Sequence, residues 1–378
     1  MTPHSAPLPG DPQPAAPAVL QARRTARVAA WHADEADARR RLDPDVIAEI
    51  TRAGFGRHFV PAEHGGAEGS FGELVRATAE VAEGCTSAAW VAALFAAHSR
   101  LAAYLPARAR RELWDASPDV RIAAGVAQPR LRAVAEPGGW LLSGEWPNVS
   151  GIAFADWVLL AALAEGPDGD VSTLFLVPAA DCEVLDTWNT LGMRGTGSNT
   201  VRLDGARVPA HRTVPRERLL APREPGAARC HIVPYPFVAA LMFAAPVLGA
   251  ARGALADWTR TARERTGPAD PDSGPRTVLT RSAAELRAAK LLMDSAAARA
   301  DEARIEPLTV AETVRDVVAA VEMCATAVDR LLGTAGSREQ SHDDPVQRRR
   351  RDIRTASTHA MLRFDSSAQA YARAVLGA

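Results

Sequence analysis

Two histidines and a serine stand in surroundings where their side chains could do chemistry: His98, Ser150 and His359. His98 lies in the apolar run 87–105, SAAWVAALFAAHSRLAAYL, where a spacing of four puts Trp90, Leu94 and His98 on one helical face. A core histidine with satisfied ring nitrogens and a pocket residue both fit that pattern. Ser150 closes the run 143–151, SGEWPNVSG, just after Trp146, Asn148 and Val149. Its hydroxyl can donate and accept, although Ser-Gly is also an ordinary turn pair. His359, in RTASTHAMLRF at 354–364, follows four arginines, a context typical of a helix end or a solvated face. Thr196 and Ser198 stand among small residues in RGTGSN at 194–199. Small residues at a strand end let a planar ligand approach the backbone, and hydroxyls there can bond its polar edge. A plain hairpin turn explains that segment equally well.

Other chemistries find no support. There is no G-x-G-x-x-G and no P-loop, so a bound nicotinamide dinucleotide is not expected. Cys85, Cys182, Cys230 and Cys324 are far apart with no metal-ligand spacing, so no metal site is expected. A net charge of −1 argues against nucleic acid or a membrane surface as a partner bound by bulk electrostatics. Lys290 is the only lysine among 44 basic residues, a usage better explained by coding bias than by anion recognition. Residues 1–18 are rich in Pro and Ala and lack the layout of a signal peptide, so a disordered leader is expected. The longest apolar run, 237–250, contains Pro246 and reads as a buried helix broken at that residue rather than a bilayer span. A cytoplasmic protein with reduced thiols is expected.

The elements that must position these residues fall into three blocks. Helical periodicity covers 19–120, where Asp43 is placed to cap a helix that Pro44 opens. From 121 to 224 the period changes to two, with short β-branched runs between Gly, Pro and Asp turns. Long Ala/Leu/Arg helices return over 225–378, of lengths suited to an antiparallel bundle. In that last block Val314, Val317, Val318, Val321 and Ala325 form an apolar stripe wide enough to face a second subunit.

Four segments in this order resemble the acyl-CoA dehydrogenase superfamily: GCTSAAWVAALFAAHSRL at 84–101, SGEWPNVSG at 143–151, LGMRGTGSNTVRLDGARVP at 191–209 and PVQRRRRDIRTASTHAML at 345–362. They are most similar to its monooxygenase branch, the oxygenase components of two-component hydroxylases. The resemblance implies an α+β fold with an N-terminal helical domain, a middle β-barrel and a C-terminal four-helix bundle. It also implies a homotetramer, or at least a dimer. The implied cofactor is reduced flavin, FMNH2 or FADH2, made by a separate NAD(P)H:flavin reductase and reacting with O2 to a C4a-hydroperoxide that oxygenates an aromatic, polyketide-like or amine small molecule. By the same resemblance His98 and Trp90 lie beside the substrate, and Ser150 bonds near the flavin N5 edge. His359 takes a proton from a substrate or holds the distal oxygen. Gln128, Trp146, Asn148, Val149, Thr196 and Ser198 line the ring. Thr334 and Gly336, in the 333–337 loop, reach a neighbour's cofactor, with Arg338 and Arg348 to Arg351 as candidate phosphate partners.

The rival is an FAD-dependent dehydrogenase of acyl-CoA or acyl-carrier-protein thioesters. That chemistry needs a carboxylate to remove the α-proton, and the segment 354–362 holds none, which leaves Glu83 or Glu322 as stand-ins. A catalytically inert scaffold of the same fold is the non-enzymatic alternative.

Overall fold

The computed structural model describes residues 17–126, 131–166, 169–223, 226–265, 274–333 and 340–377. Helix α1 (Pro17–Trp31) opens on a proline, which costs no backbone donor at a first helical position. It therefore takes in residues 17 and 18, which the sequence had assigned to the leader. Helices α2 (Ala33–Arg39) and α3 (Pro44–Arg52) follow, and the Asp43 carboxylate accepts the amide of Asp45 at the start of α3, as expected. Ser70 caps α4 (Phe71–Gly84) through the amide of Glu73, and α4 leads into α5 (Thr86–Ala102) and α6 (Ala107–Trp114).

Among the described residues, eight strands form two four-stranded sheets. One has the order β1-β4-β5-β8, with β1 (Ile122–Gly125), β4 (Trp157–Gly166), β5 (Gly169–Pro178) and β8 (Thr213–Pro215). Strand β1 is the edge and runs parallel to β4. The other has the order β2-β3-β7-β6, with β2 (Val134–Glu136), β3 (Gly139–Val149), β6 (Glu183–Leu185) and β7 (Asn199–Pro209), all antiparallel. Alternate apolar residues of both sheets, among them Phe175 and Val158 from one and Leu142 and Val201 from the other, meet in a shared core. The sheets thus pack face to face.

After the short α7 (Arg229–Ile232) come the long helices α8 (Tyr235–Arg265), α9 (Gly274–Glu302) and α10 (Pro307–Gly333), then α11 (Pro345–Ala356) and α12 (Phe364–Leu376). Pro246 does not break α8, contrary to the sequence reading. Helix α8 packs against α4, α5, α9, α10 and α11, and burial on so many sides outweighs the ~3 kcal/mol that an interior proline costs. Helix α8 is long and apolar enough to cross a membrane, but most of it is buried by its neighbours. The stripe expected to face a second subunit is also consumed within the chain, because Val317, Val318 and Val321 are buried.

The arginines of α11 act as rivets. Arg348 pairs with Asp34 and Arg351 with Asp37, both on α2, while Arg350 pairs with Asp329 of α10. Arg349 and Arg351 are both buried, and Arg349 makes the contacts to α8 and α4. Its guanidinium donates to Asp257 of α8 at 3.0 Å and to the carbonyls of Ala82 and Glu83 at the end of α4. Gly253 makes room for it, since a Cβ there would come within 2.6 Å of Arg349 Cζ. The four α11 arginines among the five offered as phosphate partners are therefore occupied by protein carboxylates. Arg349→Met is expected to lower unfolding free energy by about 3 kcal/mol, because it leaves Asp257 and two carbonyls without their buried partner. Urea denaturation measures this, and a loss below ~0.5 kcal/mol would remove the rivet role.

Candidate active site

A cavity of about 490 Å³ opens where α5, the edge strand β1, the 188–198 segment, α8 and the end of α11 converge. Trp90, Leu94 and His98 line it from one face of α5, as their spacing requires. Asn148, Ser150, Thr196, Ser198 and His359 line it too, so residues more than 250 positions apart in the chain share one site.

His98 is buried, and its Nδ1 lies 2.8 Å from the carbonyl oxygen of Ile122 on β1. A carbonyl only accepts, so Nδ1 carries the hydrogen. Burial pulls the His98 pKa from 6.5 down to about 4, against the opposing pull of that carbonyl, and the ring is neutral at pH 7. Its Nε2 is then a bare acceptor. His359 is the converse. It caps a short 3-10 turn by accepting the amide of Met361 at Nδ1, 3.3 Å away, which leaves the hydrogen on Nε2. Burial lowers its pKa to about 4 as well. The His359 ring stacks on Phe243 of α8 at 3.7 Å between centroids and meets the Trp90 edge at 5.8 Å. One cavity thus holds two neutral imidazoles of opposite tautomer.

The hydroxyls form a ladder. Trp90 Nε1 donates to Ser150 Oγ at 3.3 Å, Ser150 and Ser198 lie 2.7 Å apart, Ser198 and Thr196 lie 2.7 Å apart, and Thr196 donates to the Met193 carbonyl at 2.8 Å. Met193 has a left-handed backbone, φ 57°, held from both sides. Its amide donates to the buried Asp352 of α11 at 2.5 Å, and its carbonyl also accepts Trp188 Nε1 at 2.9 Å. Gly192 lets this loop lie against α11, because a Cβ there would come within 2.2 Å of the Arg351 carbonyl carbon.

Trp146 and Val149, expected in the cavity wall, are elsewhere. Both are buried between the sheets, where Trp146 Nε1 donates to the Ala161 carbonyl at 2.8 Å. The reason is a bulge in β3. Trp146 pairs with Val201 and Val149 with Asn199, so β3 spends one residue more than β7, and Asn148 takes φ 61°. The inserted residue reverses the alternation, which turns Val149 inward and Ser150 outward. Gln128, Thr334, Gly336 and Arg338 lie outside the described residues.

Sequence reasoning missed the α8 wall of Tyr235, Ala239, Met242 and Phe243. Their spacing of four, seven and eight was readable as one helical face. It also missed Met193 and Asp352, which no local pattern marks. No Asp, Glu, Lys or Arg lines the cavity among the described residues. Glu83 instead pairs with Arg252 at 2.6 Å and lines a different cleft, while Glu322 is exposed. The lining suits a flat, uncharged molecule with hydrogen-bonding edges.

Helices, paired sheets and a helix bundle converging on such a cavity give the three-part architecture that the sequence resemblance implied. Models of the acyl-CoA dehydrogenase N-terminal and C-terminal domains match residues 20–110 and 241–364. The FADH(2)-dependent resorcinol hydroxylase, oxygenase component, of Rhizobium sp. (strain MTP-10005) is 30% identical over 363 residues, which cover 89% of this chain and 88% of that protein. The solved structure of XiaF from Streptomyces sp., in complex with FADH2 and glycerol, superposes with a TM-score of 0.88 at 29% identity, covering 96% and 95% of the two chains. The 3-HSA hydroxylase from Rhodococcus sp. RHA1 has the same fold, with a TM-score of 0.90 at 23% identity and coverage of 96% and 97%. The chain belongs to the acyl-CoA dehydrogenase superfamily, in its branch of flavin-dependent monooxygenase oxygenase components.

Proposed function

We propose that this protein hydroxylates an uncharged phenolic or polyketide-like ring, as the oxygenase component of a two-component flavin-dependent monooxygenase. The observation that carries the reading is the pair of neutral imidazoles of opposite tautomer in a cavity whose described lining holds no charged side chain. A flavin ring fits that lining, with hydroxyls for its polar edge and apolar walls for its faces. Reduced flavin, as FMNH2 or FADH2 delivered by a separate NAD(P)H-dependent reductase, supplies with O2 the electrophilic oxygen.

His98 Nε2 accepts the phenolic proton and so raises electron density on the ring to be attacked. This takes the acceptor role that the resemblance offered to His359. His359, with its hydrogen on Nε2, donates toward the oxygen being transferred, and the stack on Phe243 holds its orientation. Leu94, Met242 and Phe243 exclude water from the reacting atoms. The absence of a carboxylate among the described lining residues disfavours α-proton removal from a thioester.

The test is to mix protein and reduced flavin anaerobically, then admit O2 with and without a panel of neutral phenols. Hydroxylated product is expected. Oxidation of an acyl thioester without O2, and no phenol product, would overturn the reading. We further propose a homotetramer, or at least a dimer, and a cytoplasmic location. Exposed Leu291 and Leu308 on the bundle, with Val375 and Leu376 near the chain end, support an apolar contact between copies. Free thiols at Cys85, Cys182, Cys230 and Cys324 support a reducing compartment. Light scattering of a monomer would sink the assembly.

A further inference from the structure

The hydroxyl ladder has a direction. Thr196 has one hydrogen, and the Met193 carbonyl can only accept it. Ser198 must therefore donate to Thr196, and Ser150 must donate to Ser198, across two contacts of 2.7 Å each. Trp90 Nε1, a donor only, takes one lone pair of Ser150. All four side chains are buried, so bulk water does not compete for these bonds. What Ser150 Oγ has left for the cavity is a lone pair and no hydrogen.

We infer that Thr196 and Ser198 set Ser150 as a fixed hydrogen-bond acceptor, and that the ladder thereby selects reduced over oxidised flavin. The inference rests on the flavin reading of this cavity. Reduction converts N5 of an isoalloxazine from a bare acceptor to an N–H donor. A fixed acceptor is complementary to the donor form, whereas oxidised flavin would place two acceptors face to face. To donate to oxidised N5, Ser150 must be released by reversing the ladder, and Thr196 then gives up the Met193 carbonyl. That carbonyl keeps the Trp188 indole N–H, so reversal loses one hydrogen bond and no more. A single neutral bond corresponds to about tenfold in affinity. Thr196 and Ser198 are positioning residues here, acting through Ser150.

The test measures dissociation constants for oxidised flavin in air and for reduced flavin under anaerobic conditions, by quenching of flavin or tryptophan fluorescence. Wild type is expected to favour the reduced form. Thr196→Val removes the donor that orients the ladder, and the ratio of the two constants should fall about tenfold, equivalent to ~30 mV in the two-electron potential of bound flavin. Ser198→Ala frees the Ser150 hydrogen by a different cut and should lower the ratio similarly. Thr196→Ser keeps the donor and should keep the wild-type ratio. A merely structural role would weaken both redox forms alike, so an unchanged ratio in Thr196→Val and Ser198→Ala overturns the ladder while leaving the flavin site standing. A wild-type protein with no redox preference overturns it too. Failure of wild type to bind either form would instead sink the site reading itself.

Discussion

Replacing His98 by alanine is expected to cut hydroxylation at pH 7 by ~10²–10⁴-fold, the usual worth of a positioned general base. The Ile122 carbonyl fixes the tautomer that leaves Nε2 free to accept, and burial keeps the ring unprotonated down to about pH 4. The loss should narrow as pH rises, because a phenol with a pKa near ~10 ionises unaided in alkaline solution. Reduced-flavin binding should be nearly unchanged, since the ladder does not include His98. Product formed per reduced flavin, measured from pH 6 to 10 with a neutral phenol, checks this. Wild-type yield at pH 7, or a loss of constant size at every pH, would remove His98 from the base role.

The second large effect is acid sensitivity. Burial lowers the His98 pKa from 6.5 to about 4. His231 is pulled to about 3 by burial first and then by the charges of Arg223, Arg100 and Arg110. As pH falls below 6.5, the unfolded chain takes up protons that the folded one refuses, so stability falls with pH until each folded pKa is passed. Burial lowers the His359 pKa to about 4 as well; at 1.36 kcal/mol per unit, His98 and His359 each withdraw about 3 kcal/mol over that span and His231 somewhat more. Asp352 works the other way. Burial lifts its carboxyl to about 6 from 3.8, against the Met193 amide, so the folded state gains about 3 kcal/mol as pH falls through that window. The three histidines together outweigh it. Urea midpoints should drop by the equivalent of a few kcal/mol between pH 7.5 and 4.5, and His231→Leu should remove about half of that drop. A flat or rising midpoint in acid would contradict the assignment.

Much of the architecture was legible because local rules and global packing agree. Asp43 and Pro44 start a helix where capping chemistry says they should, and the change from helical to strand period near residue 121 marks the paired sheets. The four-residue spacing of Trp90, Leu94 and His98 put all three on the cavity face, and the motif resemblance led to Ser150, Thr196, Ser198 and His359, which line the same cavity. The readings that failed all depended on long-range facts. Pro246 reads as a break until neighbours bury α8 on many sides, and the α11 arginines read as free cations until Asp34, Asp37, Asp257 and Asp329 arrive from distant helices.

By itself the sequence determined which side chains can titrate, donate or pack, because identity and short-range spacing are local properties. Tertiary structure decided what each one does. A bulge around Asn148, visible only against β7, turned Trp146 and Val149 into the sandwich and Ser150 out of it. The Ile122 carbonyl and the Met361 amide gave two chemically identical imidazoles opposite tautomers. The Met193 carbonyl, presented by a loop pinned to Asp352, gave three equivalent hydroxyls a single direction. A hydrogen bond has a polarity that no residue carries alone, so the role of a serine or a histidine is settled by the partner that the fold sets beside it.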